Sequence, residues 1–179
     1  MRVLGIDPGS RYCGFGVVED EGGTRVRHVA HGVLGVGEWR AIEDRLHALH
    51  QGLCRELSLH QPQVVAVEDV FHARNARSAL VLGEARGVAL LAAAQAGVPV
   101  RSFAPSVIKQ AVTGTGRAEK EQVGRMVAVV LGITVQGRLD ASDALAAAIC
   151  GVLRARDPQA LVPRRRGDWR AALARRFAK

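Results

Sequence analysis

Apolar and polar residues alternate, cluster and then recur in three distinct ways along this chain. Val3 to Asp7 is a short apolar run closed by Pro8-Gly9-Ser10, a turn signal that predicts a buried strand. Cys13 to Glu19 alternates and runs into Asp20-Glu21-Gly22-Gly23, and Arg25 to Leu34 follows as a third strand. Three strands joined by tight turns predict an antiparallel meander. From Trp39 to about His60 the period changes: Ile42, Leu46, Leu49, Leu53 and Leu57 recur at helical spacing until Pro62. Val64 to Val70 is again a compact apolar strand, and Ser78 to Ala96 an Ala- and Leu-rich helix stopped by Gly97. Val98 to Phe103 makes a fifth strand. Helices are expected at Pro105–Val112, Ala118–Leu131 and Ser142–Arg154, with a further one over Trp169–Phe177. The order predicts an α/β fold, a mixed five-stranded sheet (meander plus parallel strands) flanked by helices.

Composition bounds this picture without changing it. The 179 residues suit one domain with a real core, and no apolar run approaches the roughly 20 residues that span a bilayer. With no signal-peptide pattern at the N-terminus, a cytoplasmic protein is expected. Cys13, Cys54 and Cys150 are odd in number and far apart, so buried free thiols are expected rather than disulfides or zinc. The charge of +8 is unevenly placed. Residues 154–179 carry nine basic and two acidic side chains, which divides the chain into a domain over 1–153 and a basic tail over 154–179. Such a tail suits phosphate backbone, and equally a solvated chain end.

Candidate chemistry lies in the acids. Asp7 closes the first strand and Glu68 stands near the end of the fourth, where open α/β sheets form sites. A carboxylate among Val and Ile is costly to bury unless paired or metal-bound. Asp140 and Asp143 are three apart at a helix start, hence on one face, where the helix dipole favours negative charge. Each acid also has an ordinary reading: Asp7 as a turn cap, Asp140 or Ser142 as an N-cap. Asp69 neighbours Glu68, but alternation sends it to the other face of the strand, to solvent or a salt bridge. If the four acids converge, oxygen-only ligands select Mg²⁺ or Mn²⁺, and a pair of such ions serves phosphodiester hydrolysis. The histidines offer no rival site: strand alternation puts His28 and His31 on opposite faces, and His47 with His50 lacks a third ligand.

Four blocks of this sequence are similar to the RuvC family of bacterial Holliday-junction resolvases: LGIDPGSRYCGFGVV at 4–18, VEDVFHARNARSALVLGEARGVAL at 67–90, IKQAVTGTGRAEKEQVGRMV at 108–127 and DASDALAAAI at 140–149. They stand in family order over about residues 1–153. The resemblance implies a ribonuclease-H-like fold and a homodimer. It also implies two symmetric metal-dependent nicks across a four-way DNA junction, in recombination and repair. The family's catalytic acids match Asp7, Glu68, Asp140 and Asp143, and its basic pair matches Lys109 and Lys120. Phe71 matches an aromatic that stacks on a splayed base, although a strand running into it also suits a core residue. Ser10, Arg11, Arg74 and Arg77 are further expected DNA contacts. Two Mg²⁺ or Mn²⁺ ions per site, and the branch-migration proteins RuvA and RuvB as partners, follow from the same resemblance.

Rival readings fare worse on residues. A catalytically dead DNA-binding module would lack an acid, and none is missing. An actin-like ATPase needs two such domains. The pre-ribosomal-RNA processing cousin should lack VEDVF and DASDALA. The helix over 78–96, apolar on more than one face, is the expected dimer contact.

Overall fold

A computed structural model describes residues 1–9, 11–23, 25–35, 41–69, 75–134 and 139–155. The strands are β1 (Arg2–Asp7), β2 (Tyr12–Gly22), β3 (Arg25–Gly35), β4 (Val64–Glu68) and β5 (Val100–Phe103). The helices are α1 (Ile42–His60), α2 (Ala76–Gln95), α3 (Pro105–Thr113), α4 (Lys120–Leu131) and α5 (Leu139–Ala155). They form one sheet in the order β3-β2-β1-β4-β5. β1–β2 and β2–β3 are antiparallel, while β1–β4 and β4–β5 are parallel, as the meander and helical crossovers predicted.

Strand alternation divides the core into two layers. Val3, Val18, Val64 and Ala66 face α3, α4 and α5, whereas Leu4, Ile6, Val17, Val65 and Val67 face α1 and α2. The Ala-rich α5 lies deepest, with a run from Ala144 to Val152 wholly buried. Small residues on both sides permit this. A Cβ at Gly5 would stand 2.0 Å from the Ala144 carbonyl oxygen, and one at Gly14 would stand 1.9 Å from that of Asp140. Glycine in β1 and β2 therefore lets α5 rest on the sheet backbone, which no side chain at those positions would allow.

Several boundaries differ from the sequence expectation. β5 starts at Val100, not Val98, since Pro99 has no N–H for the ladder and contributes only its carbonyl, which accepts from Val65. β4 ends at Glu68; Val70 lies outside the described residues, as do Trp39 and the helix expected over Trp169–Phe177. α1 starts at Ile42 and closes on Gln61, left-handed at φ 45°, just before Pro62. α2 starts two residues early because the Asn75 side chain caps it, accepting from the Ser78 N–H. α4 starts at Lys120, two residues after Ala118.

Two expectations are corrected outright. α5 begins at Leu139, so Asp140 and Ser142 lie inside the helix rather than at its N-cap, and Ser142 is buried. The histidines of β3 share a face: Val17 pairs with Ala30 but Val18 pairs with His28, leaving Val29 as an extra residue. That β-bulge resets the alternation, and His28 Nε2 comes 2.8 Å from His31 Nδ1.

Candidate active site

The sheet delivers the first two acids by alternation alone. Asp7 follows Val3 and Gly5 on the α5 face of β1, and Glu68 follows Val64 and Ala66 on the same face of β4. β1 and β4 are adjacent and parallel, so both carboxylates leave the same end of the sheet. The third and fourth arrive on α5. Because Gly14 lets the Asp140 backbone touch β2, the first turn of α5 is carried to the end of β1. Asp140 and Asp143, one turn apart, then join Asp7 and Glu68.

Asp7, Glu68 and Asp143 line a cleft of about 400 Å³ with Lys109, Lys120, Pro105, Ile108, Val123 and Ala146. Asp140 lies within the same electrostatic group, since its charge acts on Asp7 and Asp143. Apolar side chains of α3, α4 and α5 line the cleft beside the acids. A roomier cavity of about 570 Å³ opens between the ends of α1 and α2, beside Cys54 and Gln95. It contains no carboxylate, so size is the poorer guide and the acidic cleft is the candidate site.

The electrostatics follow from crowding. The Asp7 carboxyl is raised from 3.8 to about 7, by burial first and then by Asp143, Glu68 and Asp140. Burial and Asp143 raise Glu68, against the pull of Lys120 and Lys109. Asp143 is also raised, chiefly by burial, although Lys120 Nζ stands 2.5 Å from its Oδ2. Burial alone would lower the Lys120 ammonium, yet the hydrogen bond to Asp143 and the charges of Asp143, Asp7 and Asp140 raise it. Both partners of one ion pair are thus shifted upward. For Asp143 desolvation wins, and for Lys120 three carboxylates win.

Such a cluster is short of positive charge. Its donors are all carboxylate oxygens, the chemistry that hard divalent cations prefer. Among the described residues, no three His, Cys, Asp or Glu side chains are gathered tightly enough to hold an ion as they stand. The four carboxylates repel one another, and a bound cation would offset that repulsion. The donor set therefore fits a divalent ion by type and by charge.

The remaining predicted residues scatter. Lys109 and Lys120 both reach the cleft. Arg11 and Arg77 are exposed, Arg77 in the first turn of α2. Ser10, Phe71 and Arg74 lie outside the described residues. Asp69 faces away from the cleft, as alternation required, and pairs with Arg86 Nη2 at 2.7 Å. All three cysteines are free; burial pushes the Cys13 thiol up to about 12 and the Cys150 thiol up to about 11. His50 meets Gln95 at 2.7 Å and joins no metal-holding group among the described residues. Sequence reasoning passed over Arg86. Its signal was an arginine inside an apolar helical stretch, which seldom lies there without a partner.

Comparison with known proteins places this geometry. Residues 3–151 match the family model described as crossover junction endodeoxyribonuclease RuvC. The chain is similar to the protein of that description from Myxococcus xanthus, at 56% identity over 84% of this chain and 79% of the relative. It is also similar to that of Trichlorobacter lovleyi, at 46% over 95% and 98%. Among solved structures it resembles T. thermophilus RuvC in complex with a Holliday junction substrate, with a TM-score of 0.82 and 37% identity over 87% of this chain and 95% of that one.

Proposed function

This chain belongs to the RuvC family of crossover junction endodeoxyribonucleases, and from that premise we propose that the acidic cleft is its nicking site, acting on four-way DNA junctions. The observation that carries the reading is the meeting of Asp7, Glu68 and Asp143 with Lys109 and Lys120 in one cleft, Asp140 adding its charge. Nucleases of this family depend on a metal. Two Mg²⁺ or Mn²⁺ ions per site would be held by Asp7, Glu68, Asp140 and Asp143. When bound they supply the Lewis acidity that activates water and stabilises the leaving oxygen of a phosphodiester.

The chain's own groups do the rest. Asp7, at the end of the central strand β1 and paired with Gly14 of β2, would be one of the carboxylates that hold the ions. Lys120 pairs with Asp143. Its exposed half leaves the ammonium free to swing toward a phosphate, as a compact point charge suits. Lys109 lends a second positive charge from α3. The apolar wall of Ile108 and Val123 limits water around these charges and so strengthens their interactions. Products are assigned as 5′-phosphate and 3′-hydroxyl ends.

Ser10, Arg11, Arg74 and Arg77 are assigned to backbone contacts, and Phe71 to stacking on an unpaired base. The chain is read as a homodimer, which relates two clefts by a two-fold axis and suits two symmetric nicks. Its contact is assigned to the outer face of α2, where Leu80 and Leu91 are exposed and a side chain at Gly83 or Gly87 would meet nothing. Two glycines one turn apart let helices approach closely. The basic tail, read from residue 154 although α5 runs to Ala155, is assigned to phosphate, and RuvA and RuvB are the expected partners. No helix among the described residues is long and apolar enough to cross a membrane.

Asp7→Asn is the test. Junction nicking in Mg²⁺ should fall by about 100- to 1,000-fold or more, the scale of losing one preorganised electrostatic contact, with junction binding retained. Nicking at an undiminished rate would remove Asp7 from the chemistry.

A further inference from the structure

Glu68 is the last residue of β4. The β1–β4 register ends one residue earlier, at Ile6 and Val67. On the other side Glu68 pairs with Phe103, and the Asp69 N–H adds one bond to the Phe103 carbonyl, 2.8 Å. The last residues of a strand, where its ladders run out, are the part most prone to fray. Yet a carboxylate that must ligate an ion needs its position fixed to within about 0.5 Å.

Arg86 adds support to this strand end from the opposite face. Its Nη2 donates to Asp69 Oδ1 at 2.7 Å and to Ser102 Oγ at 2.7 Å. One guanidinium from α2 thereby clasps the ends of β4 and β5. Its helix is well anchored, with Ala85 and Ala89 fully buried. Bonds from a charged donor are the stronger kind, and this pair is about three-quarters buried. Asp69 is held by both its N–H and its carboxylate. Since it shares a peptide unit with Glu68, the direction of the Glu68 side chain into the cleft is held as well. Arg86 is not among the residues lining the cleft.

We infer that Arg86 is a positioning residue for Glu68, acting through Asp69. This rests on the reading of Glu68 as part of the metal-holding cleft. Partners that orient a ligating carboxylate typically set metal affinity or activity by about 10- to 100-fold.

The experiment uses the full-length chain with Arg86→Gln, Arg86→Lys, Asp69→Asn and the double variant. Mn²⁺ binding without DNA is read by the paramagnetic resonance of free Mn²⁺, beside single-turnover nicking, junction affinity and thermal midpoint. Arg86→Gln should weaken Mn²⁺ binding and slow nicking, each by about 10-fold or more, with junction affinity within about twofold, since Arg86 touches no cleft surface. Excess metal should recover much of the rate. Arg86→Lys should recover part of both, and the double variant should be no worse than its weaker parent, because both remove one contact. Should Arg86→Gln fold badly, Asp69→Asn carries the same expectations. Mn²⁺ affinity and metal dependence unchanged in a folded variant would overturn the positioning role, as would losses that track junction affinity alone. A wild-type chain that neither binds Mn²⁺ nor nicks would instead overturn the assignment of the cleft.

Discussion

On one face of the sheet, Asp7, Glu68, Asp140 and Asp143 crowd together, and Lys120 is bonded to Asp143. On the other face, one residue along the chain, Asp69 is ion-paired with Arg86. Glu68 and Asp69 have nearly the same intrinsic chemistry, yet Glu68 faces the cleft, where burial and Asp143 push it upward, and Asp69 faces Arg86. The difference teaches that a site is made where charge is left unbalanced, and a structural pair where it is balanced. Alternation along β4 decides which carboxylate is which.

The sharpest way to break this comparison is to neutralise the two acids in turn. Glu68→Gln should cut junction nicking by about 100- to 1,000-fold, whereas Asp69→Asn should cost only the roughly 10-fold of a supporting contact. Equal losses in single-turnover assays would mean that the two faces are not distinct in function.

The support beneath the acidic face can be broken next. Gly14→Ala would place a methyl 1.9 Å from the Asp140 carbonyl oxygen, so α5 must move outward. A loss of about 3 kcal/mol, the upper end for overpacking, is expected in urea denaturation, with a loss of Mg²⁺ binding. By contrast Gly83→Ala and Gly87→Ala, inside α2 and meeting nothing in the monomer, should each raise its stability by about 0.5–1 kcal/mol through helix propensity.

Charge imbalance also makes a pH prediction. Without metal the Asp7 carboxyl titrates near 7 in the folded chain and near 3.8 unfolded. In that interval the folded state holds the extra proton. The contribution is therefore fully present below the unfolded value and is lost as pH rises through the folded one. In EDTA the wild type should lose about 2–4 kcal/mol between pH 4 and pH 8 from this group. Asp7→Asn should flatten the slope and be the more stable protein at pH 8. Chemical denaturation at the two pH values would expose a flat wild-type profile if the imbalance were absent.

The smallest effect belongs to the quiet face. Asn75→Ala removes the cap of α2 and should cost about 1 kcal/mol without altering the pH slope.

Much of this was legible in residue order. The meander, the crossovers and both cores follow from runs and periods. Asp7, Glu68 and the Asp140–Asp143 pair each stood where strand ends and a helix start make sites, and Asp69 was separated from Glu68 by period two alone. Less legible were features that depend on one residue too many or one partner far away. His28 and His31 were read onto opposite faces because a bulge at Val29 leaves no mark in composition. Arg86 lies 17 residues from Asp69 on another element, and only folding brings the two together.

What the sequence determined by itself was the set of local preferences: which residues alternate, which turn, which helices bury Ala, and which carboxylates cannot be solvated where they stand. These are short-range consequences of side-chain shape and polarity. Tertiary structure decided what those groups meet. The depth to which α5 settles on Gly5 and Gly14 brings Asp143 to Asp7, and the reach of α2 gives Asp69 its arginine. Burial and Coulomb interaction depend on distance through space, which only the packed chain defines.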